Sequence, residues 1–312
     1  MPVPPHVRPV PAPPLPAPPA TPAALSAVVT TLRSAGCVFA EDEAQLLVSA
    51  SRSADELAAL VARRVAGHPL EHVLGWAEFC GLRIAVEPGV FVPRRRTEFL
   101  VHIAAALTHE SADAAEASGE PTRRTRTGGG GTAVLASPRT VVVDLCCGSG
   151  ALGAALAALV TGVDLHAADI DPAAVRCARR NLAAAGGQVH EGDLYEALPA
   201  DLLGRVDILL ANAPYVPTHA IELLPPEARD HEPRAALDGG TDGLDIQRRV
   251  AEAAPVWLAP GGRLLVETSE RQAPYTARAF EANGLNVEVL ACEDLDATVV
   301  IGTKPSCPQN PA

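Results

Sequence analysis

Thr140-Val141-Val142-Val143-Asp144-Leu145 runs, after only two cysteines, into Gly148-Ser149-Gly150-Ala151-Leu152-Gly153, and nothing else in the chain narrows its fold as much. An unbroken apolar run of this kind suits a strand buried on both faces. The glycine spacing suits a tight turn that brings backbone close to a ligand and the next helix close to the strand. Asp169 follows about 20 residues later, where a carboxylate can accept both hydroxyls of a ribose. Leu145–Val163 is uncharged and long enough to raise the question of a bilayer span. It holds four glycines with Ser149 and Thr161, however, and Asp144 and Asp164 flank it. A nucleotide-binding turn entering a buried helix explains it better, and no membrane association is expected.

The surrounding pattern repeats the unit. Leu165–Asp169, Val189–Asp193, Val206–Asn212 and Arg263–Thr268 read as strands, with helices starting near Pro172, Asp245 and Arg271. Alternating strands and helices predict an open α/β sheet covered on both faces. The end differs, because only Glu293–Asp296 separates Leu285–Cys292 from Ala297–Thr303. So short a link excludes a parallel crossover and predicts a terminal antiparallel hairpin.

Upstream, residues 1–20 are Pro/Ala low complexity, with eleven prolines among the first 22 residues, and read as an extended tail rather than a targeting signal. Thr21-Pro22 opens a helix that Gly36 closes. A second spans Glu41–Ala50, and a third starts at Ser53 with Glu56 as a capping box and ends near Gly67. Residues 21–67 are thus a small helical domain. Short β-like runs at 78–80, 83–86 and 90–92, the last two joined by Glu87-Pro88-Gly89, predict a β-hairpin linker over 68–93. Residues 94–304 form the main domain, opening with a helix over Thr97–Thr108. Residues 110–138 read as a flexible insertion whose arginines belong to a solvated loop, and 305–312 as a tail. Two domains fit 312 residues.

Composition excludes several classes. The 25 basic and 37 acidic residues give a net charge of −12, which disfavours general nucleic-acid binding. Seven cysteines, odd in number and without a CxxC pair, make neither a disulfide framework nor a zinc site, and a reducing cytoplasm is expected. Cys146 and Cys147 read as small packing residues. The nine histidines lack ligand spacing, so no metal is expected.

The glycine turn alone suits any adenosine cofactor. Three features favour S-adenosylmethionine over a nicotinamide. Asp144 lies where an anion suits a sulfonium or ammonium better than a pyrophosphate. The terminal hairpin is the second feature. Most specific is Asn212-Ala213-Pro214-Tyr215, directly after the fourth strand.

With Val143–Gly150, Ala168–Pro172 and this tetrad, the chain resembles class I methyltransferases that act on planar amino or amide nitrogens. Pro69–Gly75, Glu78–Leu82, Val92–Glu98, His231-Glu232-Pro233, Ala236–Gly240 and Asp242–Asp245 narrow the resemblance. It is similar to the HemK/PrmC-type family, which methylates the glutamine amide in the Gly-Gly-Gln loop of peptide chain release factors. The resemblance spans about residues 22–108 and 139–304. It implies a Rossmann-like α/β methyltransferase domain after a helical substrate-recognition domain, S-adenosylmethionine as cofactor and a release factor as protein partner. By this resemblance Asn212, Ala213, Pro214 and Tyr215 are the catalytic segment. Asp144, Gly148, Gly150, Asp169, Asp193 and Asn212 bind the cofactor, with Leu194 or Tyr195 against the adenine. Asn212, Ala213 and Glu232 meet the substrate. The residues also admit plainer readings: Asp144 and Asp169 as helix caps, the tetrad as an ordinary turn, and Glu232 as a loop acid.

Two departures stand out. The family tetrad Asn-Pro-Pro-Tyr is here Asn-Ala-Pro-Tyr, which keeps the carbonyl at Ala213 and the extended bias before Pro214. The family's acid within Pro-Arg-Pro-Glu/Asp-Thr-Glu is replaced by Arg96, after Arg95 in place of proline. These arginines favour the alternative that another amide or amine is the acceptor, on a protein or a small molecule. A non-catalytic cofactor-binding module and a nicotinamide oxidoreductase are further alternatives, and the tetrad argues against both.

Overall fold

The apolar run before the glycine turn lies at the middle of a seven-stranded sheet. The computed structural model describes residues 22–118 and 139–306; the Pro/Ala tail, residues 119–138 of the expected insertion and the last six residues lie outside them. The chain forms two compact units, one ending at Leu74 and the other starting at Gly75.

The first unit holds α1 (Pro22–Ser34), α2 (Ala40–Ala50), α3 (Ala54–Val65) and a short α4 (Leu70–Leu74), one helix more than the sequence pattern suggests. The cap of α3 forms as expected, Ser53 accepting from the Glu56 amide at 3.1 Å. The Glu56 carboxylate reaches one residue further back than in a standard capping box, to the Arg52 amide at 2.7 Å. Val28, Leu32, Leu47 and Val73 share the core. Beside it Arg64 grips Glu43 through two bonds of 2.6 and 3.0 Å, both side chains buried. Removing one partner of such a pair leaves a buried charge alone, which costs about 3–5 kcal/mol.

The second unit opens with a hairpin of β1 (Trp76–Phe79) and β2 (Leu82–Ala85). Its turn is Cys80-Gly81, both at positive φ (49° and 72°), the geometry that matches the twist of two paired strands. This corrects the expected pairing of 83–86 with 90–92. Glu87–Val90 is a turn closed by the Val90 amide on the Glu87 carbonyl at 3.0 Å, and Phe91 and Val92 enter no strand. Nor is the hairpin a linker. Phe79, Ile84 and Val86 are buried in the main core, and Asn181 bonds both backbone groups of Ala85, at 3.0 and 2.9 Å. The next helix, α5 (Glu98–Ser118), runs ten residues past the expected end at Thr108. Ala112, Ala114, Ala115 and Ala117 explain this, since alanine has the highest helix propensity.

Then follow β3 (Thr140–Leu145), α6 (Ala151–Leu159), β4 (Val163–Asp169), α7 (Pro172–Leu182), β5 (Gln188–Glu191), β6 (Val206–Ala211), α8 (Pro226–His231), α9 (Asp245–Trp257), β7 (Leu258–Thr268), α10 (Ala273–Ala282), β8 (Asn286–Cys292) and β9 (Ala297–Thr303). The sheet order is β5-β4-β3-β6-β7-β9-β8. The first five strands are parallel, and β9 runs antiparallel to both its neighbours, as the short terminal link requires. Val141, Val143 and Leu145 of β3 enter one core, while Val142 enters the core on the other face. Burial on both faces is why the strand reads as an unbroken apolar run. This is the Rossmann-like sheet expected. Among the described residues no helix is long and apolar enough to cross a membrane.

Candidate functional site

The chain leaves β3 towards β4 and β5 but leaves β6 towards β7, so the strand order reverses between β3 and β6. Open α/β sheets hold ligands at the carboxyl ends of strands at such a point. A cavity of about 310 Å³ lies there, lined in part by Gly148, Asp169, Ile170, Asp193, Leu194 and Asn212.

The β3/β4 side is built by backbone. Asp169 accepts from the Gly148 amide at 2.8 Å and from the Asp171 amide at 2.9 Å, one bond to each oxygen. Burial raises its pKa, and those amides pull it back. A carboxylate has about four acceptor positions, so the two bonds aim it without exhausting it. Ile170, 59% exposed beside it, offers an apolar wall to a flat ring. Across the cavity Asp193 pairs with Arg249 at 2.7 Å. Of Leu194 and Tyr195, Leu194 lines the cavity, at a positive φ of 48°. Tyr195 turns into the core, donating to the Val250 carbonyl at 2.8 Å and stacking on Trp257.

Two expected cofactor residues stand behind this surface rather than on it. Asp144 is 1% exposed, and one of its oxygens accepts from the Gly153 amide at 3.1 Å at the start of α6. Its other oxygen has no partner among the described residues, and burial raises the pKa to about 7, with the charge of Asp169 adding to the effect. Gly150 does not line the cavity either. It caps α6 at φ 77°, and a Cβ there would lie 3.1 Å from Ala178 of α7, so its lack of a side chain serves packing. Both residues hold the turn in shape.

The β6/β7 side is built by side chains from distant segments. Parallel pairing of Ala211 with Val266 brings Asn212, just past the end of β6, and Glu267, next to last in β7, to the same rim. Asn212 donates through Nδ2 to the buried Thr97 hydroxyl at 3.3 Å, which leaves its side-chain oxygen outside that bond. The Tyr215 hydroxyl donates to Glu267 at 3.2 Å, and the Arg96 guanidinium lies 3.5 Å from the same oxygen and 5.9 Å over the Tyr215 ring. Burial lifts the Glu267 pKa, opposed by Thr97, Arg96 and Tyr215. The Tyr215 pKa is also raised, by burial and by the Glu267 charge. Asn212 and Pro214 line the cavity, whereas the Ala213 side chain is buried. The tetrad backbone is fastened by Val216, which exchanges bonds with Leu237 and Gly239, and by Gln272, which donates to the Tyr215 carbonyl at 2.9 Å. Thr97, Glu267 and Gln272 were not foreseen. An acid ending the apolar run Leu264-Leu265-Val266 was the one available signal for Glu267.

Glu232 departs from its expected contact with substrate. Its side chain is 1% exposed, accepting from the Val92 amide at 3.1 Å and the Arg94 guanidinium at 2.6 Å. The carboxylate therefore fastens the 92–94 segment to the loop after α8. One grouping escaped the spacing argument about metals: ligand atoms of Cys80, Glu98 and His102 lie within 4.8 Å of one another. Glu98 already accepts from the Cys80 amide at 2.9 Å, and burial with the Glu98 charge pushes the Cys80 thiol up to about 12. These residues join the hairpin turn to α5.

Comparison with known proteins agrees with this geometry. Residues 131–224 match the methyltransferase small domain family model. The chain is 38% identical over 235 residues to the release factor glutamine methyltransferase of Geobacter sulfurreducens, covering 74% of this chain and 72% of that one. It is 34% identical over 291 residues to the release factor glutamine methyltransferase of Mycolicibacterium smegmatis, covering 87% and 92%. It is also 36% identical over 224 residues, covering 72% and 69%, to a 4-amino-L-phenylalanine/4-methylamino-L-phenylalanine methyltransferase of Streptomyces pristinaespiralis.

Proposed function

The chain belongs to the family of release factor glutamine methyltransferases, and from that premise we propose that it methylates the side-chain amide nitrogen of the glutamine in the Gly-Gly-Gln loop of a peptide chain release factor. The observation that carries the reading is Asn212, on the cavity wall with its nitrogen tied to Thr97 and its oxygen left to accept. A primary amide has two N–H groups. The Asn212 oxygen and the Ala213 carbonyl supply two acceptors in sequence, as such a group needs.

S-adenosylmethionine supplies the electrophilic methyl group when bound. The cavity suits it chemically: Asp169 for two ribose hydroxyls, Ile170 and Leu194 as apolar walls for adenine, Asp193 at the rim, and Gly148 where the backbone comes close. Asp144 acts from behind the turn, and its unpartnered oxygen puts negative character beneath the region where a positive cofactor group would lie.

An amide nitrogen is a weak nucleophile because its lone pair is delocalised into its own carbonyl. Two fixed acceptors hold both N–H bonds and direct the lone pair, and orientation of this kind supplies about 7–11 kcal/mol in favourable cases. The same acceptors stabilise the positive charge that grows on nitrogen. No strong base is needed before attack, since the proton becomes acidic only as the new bond forms. Tyr215 follows the cavity-lining Pro214 but does not itself line the cavity. Its hydroxyl is committed to Glu267, which fastens the far end of the tetrad. The helical unit is the proposed recognition element for the release factor.

Tandem mass spectrometry of a release factor incubated with the protein and S-adenosylmethionine tests the proposal. One methyl on the loop glutamine is expected, and none after Asn212→Ala. An unmodified glutamine with the wild-type protein would end it. A second reading, methylation of a small aromatic amine, is favoured by the relative from Streptomyces pristinaespiralis and by the exposed Arg95 and Arg96 beside the tetrad.

A further inference from the structure

We propose that Glu267 is a positioning residue for methyl transfer, and that it works through Thr97 and Tyr215 to hold the Asn212 amide in the one orientation that presents its oxygen to the acceptor nitrogen. This rests on the reading of Asn212 as the acceptor-binding residue.

An asparagine amide can rotate by half a turn and exchange its oxygen for its nitrogen at nearly the same positions. Only one of the two arrangements accepts from a substrate N–H; the other offers a donor to a donor. Selection therefore needs a partner that takes hydrogen from Nδ2 and offers none. The Thr97 hydroxyl, 3.3 Å from Nδ2, is such a partner only while its own proton points elsewhere. Glu267 gives that proton a destination. It is a carboxylate, 2% exposed, brought beside Thr97 by the next residue, Arg96, whose nitrogen lies 3.5 Å from Oε1, and the Thr97 side chain lowers its pKa as a donor. While it is ionised, with Arg96 beside it, it has no hydrogen to return.

The same carboxylate holds the far end of the tetrad. The Tyr215 hydroxyl donates to its Oε1 at 3.2 Å, so the first and last tetrad residues are both referred to one buried group. Strand pairing keeps that group in place, with Val266 opposite Ala211 and Glu267 itself opposite Val299 of β9. Burying a carboxylate is costly without a counter-charge. Arg96, its nitrogen 3.5 Å from Oε1 and its side chain 42% exposed, provides one from the solvent side. The Oε2 atom has no partner among the described residues and is shut from solvent, a cost the fold bears at this rim. Glu267 does not line the cavity and so touches neither ligand directly.

The test uses Thr97→Val, Thr97→Ser, Glu267→Gln and their combinations, in the full chain with a release factor as substrate. Thr97→Val and Glu267→Gln are each expected to lower kcat by about 10- to 100-fold, as a misplacement near 1 Å does. KM and S-adenosylmethionine affinity by calorimetry should change less than threefold. Thr97→Ser should restore most of the rate, and Thr97→Val with Glu267→Gln should be no slower than the worse single variant. A second readout needs no substrate: the Asn212 side-chain NH2 signals in ¹⁵N NMR, identified by their loss in Asn212→Ala, should shift in both single variants and return in Thr97→Ser. Unchanged NH2 signals, or additive rate losses, would overturn the proposal. If those signals respond as expected but the wild-type protein leaves the glutamine unmethylated, the substrate reading fails and the positioning role stands.

Discussion

The two rims of the cavity are built differently. On the β3/β4 rim a carboxylate, Asp169, is aimed by amides from its own neighbourhood, those of Gly148 and Asp171. On the β6/β7 rim a carboxylate, Glu267, is met by side chains of Tyr215 and Arg96, which come from segments far apart in the sequence. A backbone-built rim depends on the turn and tolerates changes in side chains around it. A side-chain-built rim depends on each member, and it is the one that can be retuned for a new acceptor by substitution.

That contrast is open to attack from several sides. The largest effect is expected at Asn212. Asn212→Ala should cut turnover by about 100- to 1,000-fold, as loss of one preorganised polar group does, with calorimetric affinity for S-adenosylmethionine unchanged. An equal loss of cofactor binding would show that the rims are not separable. Next comes the opposite experiment. Asp169→Ala should weaken S-adenosylmethionine by about 2–4 kcal/mol, as loss of a charged hydrogen-bond partner does, with little effect on melting temperature.

A smaller effect concerns Asp144. Its folded pKa near 7 lies above the unfolded value near 4, so the folded state holds a proton that the unfolded state releases. The stability this group contributes is complete below about pH 4 and is lost as pH rises through about 7. Asp144→Asn should therefore match the wild type most closely in acid and melt a few degrees higher near pH 8, in cofactor-free protein. A difference in melting temperature that stays constant from pH 5 to 8 would mean that Asp144 does not titrate in this range. The smallest effect is expected for Ala213→Pro, which restores the family tetrad; because the accepting carbonyl is already present, kcat should move less than about threefold, far below the Asn212 effect.

The same contrast explains what the sequence could reveal. The glycine turn and the terminal antiparallel hairpin are local signals legible in the sequence, and Asp169 ends its strand on the cavity wall as the spacing implies. Asp144 and Gly150 were recognised as parts of the turn but assigned to its front, because spacing does not tell a residue that touches the ligand from one that shapes the loop. Glu232 was misassigned for a related reason: its partners, Val92 and Arg94, lie about 140 residues upstream. The link from Thr97 to Asn212 and from Tyr215 to Glu267 needs the strand pairing before it exists at all. The hairpin differs for another reason. A short apolar run, Val90-Phe91-Val92, looked like a strand, but its side chains are apolar because Val90 and Val92 enter the core from a turn.

The proposed substrate is the central claim, and Arg96, 5.9 Å over the Tyr215 ring, is the departure from the family pattern nearest the tetrad. The decisive measurement is a comparison of kcat/KM for a release factor with kcat/KM for 4-amino-L-phenylalanine, in one assay with the wild-type protein. The account predicts methylation at the Gly-Gly-Gln glutamine with kcat/KM at least about 100-fold above that for the amine. A higher kcat/KM for the amine, with the glutamine left unmodified, would contradict it.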